Sequence, residues 1–172
     1  MIFLERLDIR INMPVRIDSY ERKILELLQE NTDLSIEEIS RRVGLSQSPC
    51  WRRIKRLEKE GVIKSRVAIL DHSKLGMEVV VFVNVSLILH GKGSLEEFEN
   101  RIRKYPEVVE CYTVTGQTDY LLKVVTRDIQ HYESFVRNYL IAMPMIREIH
   151  STIAVTEIKD TTELPLATQL ST

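Results

Sequence analysis

Residues 35–61 read SIEEISRRVGLSQSPCWRRIKRLEKEG, and this stretch decides how the first third of the chain folds. Ser35 followed by Glu38 forms a capping box, and Ile36, Ile39 and Val43 then recur on one helical stripe. Gly44 stops that helix by taking a left-handed conformation. Ser46 and Ser48 each offer a cap for the next helix, and Pro49 falls in a first turn that needs no internal N–H donor. That helix runs on to Gly61. Wound at 3.6 residues per turn, it gathers Cys50, Ile54 and Leu57 on a narrow arc and Ser48, Arg52, Lys55, Arg56 and Lys59 on the opposite side. One face packs and the other is cationic.

Upstream, Asp18 and Glu21 form another cap and N3 acid, with Ile24, Leu27 and Leu28 at helical spacing, which predicts a helix over 19–30. A short helix, a tight turn at Gly44 and a helix with a basic outer face match the helix-turn-helix. Its second helix enters the major groove of double-stranded DNA with its leading side chains at the base edges. Position then assigns Gln47, Ser48, Trp51 and Arg52 to bases, and Lys55, Arg56 and Lys59 to phosphates. Cys50, on the apolar arc, reads as a small core residue, and Trp51 lies where packing and DNA contact are equally open.

The charge distribution agrees with this reading although the total does not. With 24 Lys+Arg against 25 Asp+Glu in 172 residues, the formal net charge of −1 argues weakly against a polyanionic partner. Resolved along the chain, residues 41–66 hold nine bases and two acids, a local +7, while 16–40 and 67–172 each sum to −4. At 44% apolar and 28% charged, the composition excludes collagen-like, disordered and low-complexity classes. The most apolar run, 79–89, is broken by Asn84 and Ser86 and is far shorter than the ~20 residues of a membrane helix. No membrane partner is expected. Residues 1–12 carry Glu5 and Asp8 where a signal peptide has its apolar core, and two cysteines are too few for a disulfide framework. A cytoplasmic, nucleoid-associated protein fits best.

From Glu78 the periodicity becomes two. Val79, Val81, Val83, Val85, Leu87 and Leu89 alternate with Val80, Phe82, Asn84, Ser86 and Ile88, so both faces of this strand are substantially apolar. A turn at 91–93, a helix capped by Ser94 and ended by Pro106, strands over 108–115 and 120–125, a helix over 130–143 and a final strand over 146–159 complete the order β-α-β-β-α-β. The expected fold class is α+β, with an N-terminal winged-type helix-turn-helix and a C-terminal ferredoxin-like βαββαβ sandwich. The domain bounds read as a 1–15 extension, a 16–61 helix-turn-helix head, a 62–77 linker, a 78–159 sandwich domain and a 160–172 tail. One face of the sheet stays open in a monomer, so a homodimer is expected to cover it.

Taken together, Leu45-Ser46, Pro49-Cys50, Arg53 to Glu58 with Gly61-Val62-Ile63, Pro106-Glu107-Val108, Thr115-Gly116 with Asp119-Tyr120, and the tail from Lys159 to Pro165 resemble the Lrp/AsnC (leucine-responsive, feast/famine) family of transcription regulators. The likeness spans about residues 17–166. It implies an amino-acid-responsive regulator of amino-acid metabolism, with a hinge strand and dimers that assemble into octamers. Family members begin near the first helix, and Met13-Pro14-Val15 resembles such a start. The family binds its effector beside the turn between the second and third sandwich strands, at contacts between dimers. Here that turn is Thr115, Gly116, Gln117, Thr118 and Asp119. Gly116 permits close backbone approach, turn N–H groups can hold an α-carboxylate, and Asp119 can pair with an α-ammonium or set the loop by accepting backbone hydrogen bonds. Ser151 and Thr152 on the last strand can add hydroxyls from a neighbouring subunit.

Nothing in the residues points to catalysis. The four histidines are scattered without metal-ligand spacing, Glu37-Glu38 and Glu96-Glu97 suit helix first turns, and Gly91-Lys92-Gly93 lacks a phosphate-loop pattern. No cofactor is expected. An architectural protein that compacts DNA with little effector control is the alternative, and a metabolite-binding or enzymatic αβ protein is a third reading.

Overall fold

The computed structural model describes residues 14–88 and 92–166. They form two compact units, one of residues 14–68 together with 160–166, the other of 69–159. Residues 1–13 of the expected 1–15 extension, the strand end at Leu89 and the tail beyond 166 lie outside the described residues.

The first unit holds helices α1 (Ser19–Glu30), α2 (Ile36–Val43) and α3 (Gln47–Lys59). The Asp18/Glu21 box is complete, with each side chain accepting from the other residue's backbone N–H. Ser35 caps α2, and Gly44 ends it at φ 81°. Of the two candidate caps for α3, Ser46 takes the N-cap position without a side-chain hydrogen bond. Ile24, Leu25, Leu28, Ile39, Val43, Cys50, Ile54 and Leu57 make the core. Beyond α3 the N–H groups of Val62 and Ile63 both donate to the Leu57 carbonyl, which folds both side chains back onto that core.

The second unit is an antiparallel sheet of β1 (Val79–Leu87), β2 (Val108–Thr113), β3 (Tyr120–Thr126) and β4 (Ile146–Ile153), in the order β2-β3-β1-β4. Helices α4 (Lys92–Ile102) and α5 (Ile129–Phe135) complete the expected βαββαβ sequence. Val81, Val83, Val85 and Leu87 pack with Tyr120, Leu122 and Val124 beneath Phe98 and Ile102 of α4 and Tyr132 and Phe135 of α5. Residues of the other parity, among them Phe82, Lys123 and Thr152 at one level of the sheet, face away from that core.

Several boundaries differ from the sequence reading, among them the end of β2, which lies at Thr113 and not at 115. Helix α4 starts at Lys92, so Ser94 lies within its first turn instead of capping it. The second sandwich helix becomes a π turn at 136–140, where Ile141 N–H reaches back to the Val136 carbonyl. Leu140 is buried in this turn, while Tyr139 is 44% exposed. Strand β4 ends at Ile153, not Lys159, because its ladder stops at the bond from Ala154 N–H to Val80 O.

Phe98 is fully buried with its ring centroid 4.5 Å from that of Tyr120. Phe98→Ala should destabilise the sandwich by about 3–5 kcal/mol, read as a lower urea midpoint at unchanged slope.

Candidate nucleic-acid interface and effector turn

The exposed side of α3 carries every residue the sequence assigned to DNA, but their electrostatic situations differ. Gln47, Ser48, Trp51, Arg52, Lys55, Arg56 and Lys59 are all exposed, with half of the Trp51 surface open to solvent. Arg56 is tied down. Its Nε donates to Glu21 Oε1 at 2.9 Å, and its Nη2 donates to Glu21 Oε2 at 2.6 Å and to the Arg16 carbonyl at 3.0 Å. Glu21 is only 2% exposed, so this bidentate pair balances a carboxylate that water scarcely reaches.

Arg53 reinforces the same joint. It donates to Asp18, lies 3.5 Å from Glu21 Oε1 and sits 5.6 Å above the Tyr20 ring. Desolvation acts to raise the Asp18 carboxyl, but the Glu21 backbone N–H and the Arg53 guanidinium hold it below the usual carboxylate range. The stability that Asp18 contributes is therefore present above about pH 4 and is lost as the pH falls through its depressed value. Sequence reasoning missed Glu21 as more than a cap. Its one legible signal was an acid 35 residues from Arg56, a separation no local pattern connects.

Lys55 pairs with Glu58 at 2.7 Å, and Glu58 also takes Arg66 at 3.2 Å. These are exposed pairs of small net worth that a phosphate can replace. Among the described residues Arg52 and Lys59 have neither an ion pair nor a side-chain hydrogen bond. Cys50 is fully buried, and burial pushes its thiol up, as befits a packing residue.

In the sandwich the turn after β2 is held to the central strand β1 from both sides. Asp119 N–H donates to Val85 O at 2.9 Å, and Asp119 Oδ2 accepts from Leu87 N–H at 2.8 Å. Thr118 Oγ1 lies 3.4 Å from Asn84 Oδ1, and Val114 N–H closes on Asp119 O at 3.0 Å. Gly116 has φ 118°, a conformation that side chains rarely adopt, and Thr115, Gly116 and Gln117 are exposed at the tip. Thr152 pairs with Phe82, about 10 Å along β1 from the Val85 level where the turn begins, and on the opposite side of β1 from β3. A single chain thus brings 115–119 together but not Thr152. Ser151 points to the helix side and bonds Tyr132.

A winged helix-turn-helix DNA-binding domain is matched over residues 17–64, and an Lrp/AsnC ligand-binding domain over 80–164. The glutamate uptake regulatory protein of Zymomonas mobilis is 36% identical over 88% of this chain and 92% of its own. The chain belongs to the Lrp/AsnC family. Solved members superpose closely: an AsnC family regulator from Agrobacterium tumefaciens at TM-score 0.85 with 43% identity, covering 90% of this chain and all of that one. A transcriptional regulator from Neisseria meningitidis in complex with L-Met gives 0.84 with 38% identity, covering 88% and 97%. An Lrp/AsnC protein is a transcription regulator with a DNA-binding head and an amino-acid-responsive domain, and the two matches fall on the two sets of residues described above. Among the described residues no group of three or more His, Cys, Asp or Glu could hold a metal, and no helix is long and apolar enough to cross a membrane.

Because Arg56 balances Glu21, Arg56→Ala should lower the melting temperature of the head by about 5–10 °C. Circular dichroism melts check this, and Glu21→Leu/Arg56→Met should recover most of the loss. A purely phosphate-binding Arg56 would leave the melt unchanged.

Proposed function

We propose that this regulator of amino-acid metabolism binds DNA as a homodimer through the exposed side of α3, and that a small amino acid at the 115–119 turn modulates that binding. The DNA reading is carried by Arg52 and Lys59, the α3 cations left unpaired while Arg53 and Arg56 serve the joint with α1. Arg52 lies in the leading half of the helix beside Gln47, Ser48 and Trp51, where its planar fork suits a guanine edge. Lys55 and Lys59, further back, suit phosphates.

Pairing of two copies is supported by apolar surface that one chain does not cover. Phe82 and Tyr112 are exposed on the sheet, and Val67, Ile69 and Leu70 in the hinge are each about two-thirds or more exposed. A symmetric dimer buries such a patch on both copies and sets two heads against two half-sites about one DNA turn apart. Assembly of dimers into octamers follows the family resemblance, and it gives Thr152 of one dimer a route to the turn of another. The site of action is the cytoplasmic nucleoid.

For the effector, the exposed turn N–H groups around Gly116 suit an α-carboxylate, with Gln117 and Thr118 as neighbouring polar groups. Asp119 acts by fixing the turn through Leu87 N–H. The L-Met complex of the Neisseria relative makes L-methionine the first probe.

Two measurements test these readings. Affinity for the promoter of its own gene should fall with salt at a log–log slope of about −0.9 per neutralised phosphate. Arg52→Ala should cost about 10- to 100-fold there and much less on random DNA; equal losses would make Arg52 a phosphate contact. Calorimetry with L-methionine, then the other amino acids, should give a titration that Asp119→Ala abolishes. An unaltered titration in that variant would refute the placement of the effector at this turn.

A further inference from the structure

The tail does not trail away from the strand that precedes it. Residues 160–166 belong to the head unit, although they follow the sandwich directly in sequence. Gln29 and the head core hold them. The carboxamide of Gln29, on the last turn of α1, uses both of its ends on one backbone residue: Nε2 donates to Leu164 O at 3.2 Å, and Oε1 accepts from Leu164 N–H at 2.7 Å. A primary amide presents a donor and an acceptor side by side, as a neighbouring strand would. Leu166 N–H then bonds back to Leu164 O at 2.9 Å, and the Leu166 side chain packs against the buried core of the head. Pro165 lies between them and restricts the free chain, so that less entropy is lost on docking.

The chain therefore passes between the two units twice, once near residue 68 and again near residue 159. The second passage leaves β4, an edge strand of the sheet, and reaches the dock at Leu164 eleven residues after Ile153. The residues between, Ala154 to Glu163, form no regular structure. Their contacts are sparse and local: Ala154 N–H bonds Val80 O, Glu157 lies 3.8 Å from His72, and Glu163 N–H donates to Thr161 Oγ1. Gln29 and Leu166 anchor the tail, and Pro165 makes a further contact.

We propose that residues 160–166 act as a strap, a second tether between effector-binding sheet and DNA-binding head that docks on α1 of its own chain and limits the head's freedom to reorient. Two hydrogen bonds and one half-buried leucine against the ordering of a seven-residue segment make a dock that opens locally without unfolding either unit. A ligand or DNA site that favours one head orientation then shifts the docked fraction, and β4 has a path to the head that bypasses the hinge.

Amide exchange and ¹⁵N relaxation on the full-length protein test this, with Gln29→Ala, Gln29→Glu, Leu166→Asp and a form ending at Lys159. In the unaltered chain the Leu164 amide should be protected. Exchange there should accelerate about tenfold or more in Gln29→Ala and Leu166→Asp, and less in Gln29→Glu, which keeps the acceptor, while amides of β1 and β3 keep their protection. In the form ending at Lys159 the head should tumble faster relative to the sandwich than in the unaltered protein. Leu164 exchanging at the rate of an unstructured chain, or head relaxation unchanged by removal of the tail, overturns the strap. Neither readout involves DNA or an amino acid, so its failure leaves the regulatory reading standing, and the converse holds.

Discussion

A carboxylate cut off from water must have its charge met inside the protein, and in the head that requirement falls on Glu21. Arg56 meets it with two parallel hydrogen bonds, Arg53 adds a second positive charge, and Asp18 caps the helix that carries it. The consequence is geometric. Helix α3 is held to the start of α1 by fixed, directional contacts along one flank and by Cys50, Ile54 and Leu57 in the core along another. What remains on the outer side, Gln47, Ser48, Trp51, Arg52 and Lys59, is presented on a helix that cannot roll. A groove-reading helix needs such rigidity, because base-edge hydrogen bonds tolerate little error in position.

The sandwich shows the same division between groups that build and groups that remain available. Strand β1 is hydrogen-bonded on both edges, and its Val85 carbonyl and Leu87 N–H clamp Asp119 at the base of the turn. The turn tip around Gly116 is left exposed on a fixed base. Binding loops mounted on a rigid strand in this way lose less freedom when a ligand arrives. The parity of β1 also separates a helix-covered face from an open one, which links the core of one chain to the surface that a second copy would cover.

Much of this was legible from short-range pattern. The Asp18/Glu21 capping box, the Ser35 cap, the stop at Gly44 and the opposed arcs of α3 are all governed by spacings of three to seven residues, and the structure reproduces them, although Glu38 turns to Arg42 and does not close a box with the Ser35 N–H. Alternation located β1, and the order of elements gave the sandwich. Misplaced ends had local causes too weak to read: a helix that starts before its best cap, a π turn that shifts the inward positions after Phe135, and a strand that ends when its partner does. The roles within the basic block were less legible, because a helical projection tells which side a cation occupies but not which acid waits on another helix.

The sequence by itself determined the element order, the location of positive charge and the likeness to a family, since each depends on neighbours a few residues apart or on a linear set of motifs. Only the tertiary structure decided which charges are spent internally. It paired Arg56 with a buried glutamate, gave Asp119 the Leu87 N–H, and brought Leu164 to Gln29 across 135 positions. The physical reason is one of range. Propensity and periodicity act within a turn or a strand, whereas hydrogen bonds and ion pairs act between whatever groups the fold brings within about 3 Å.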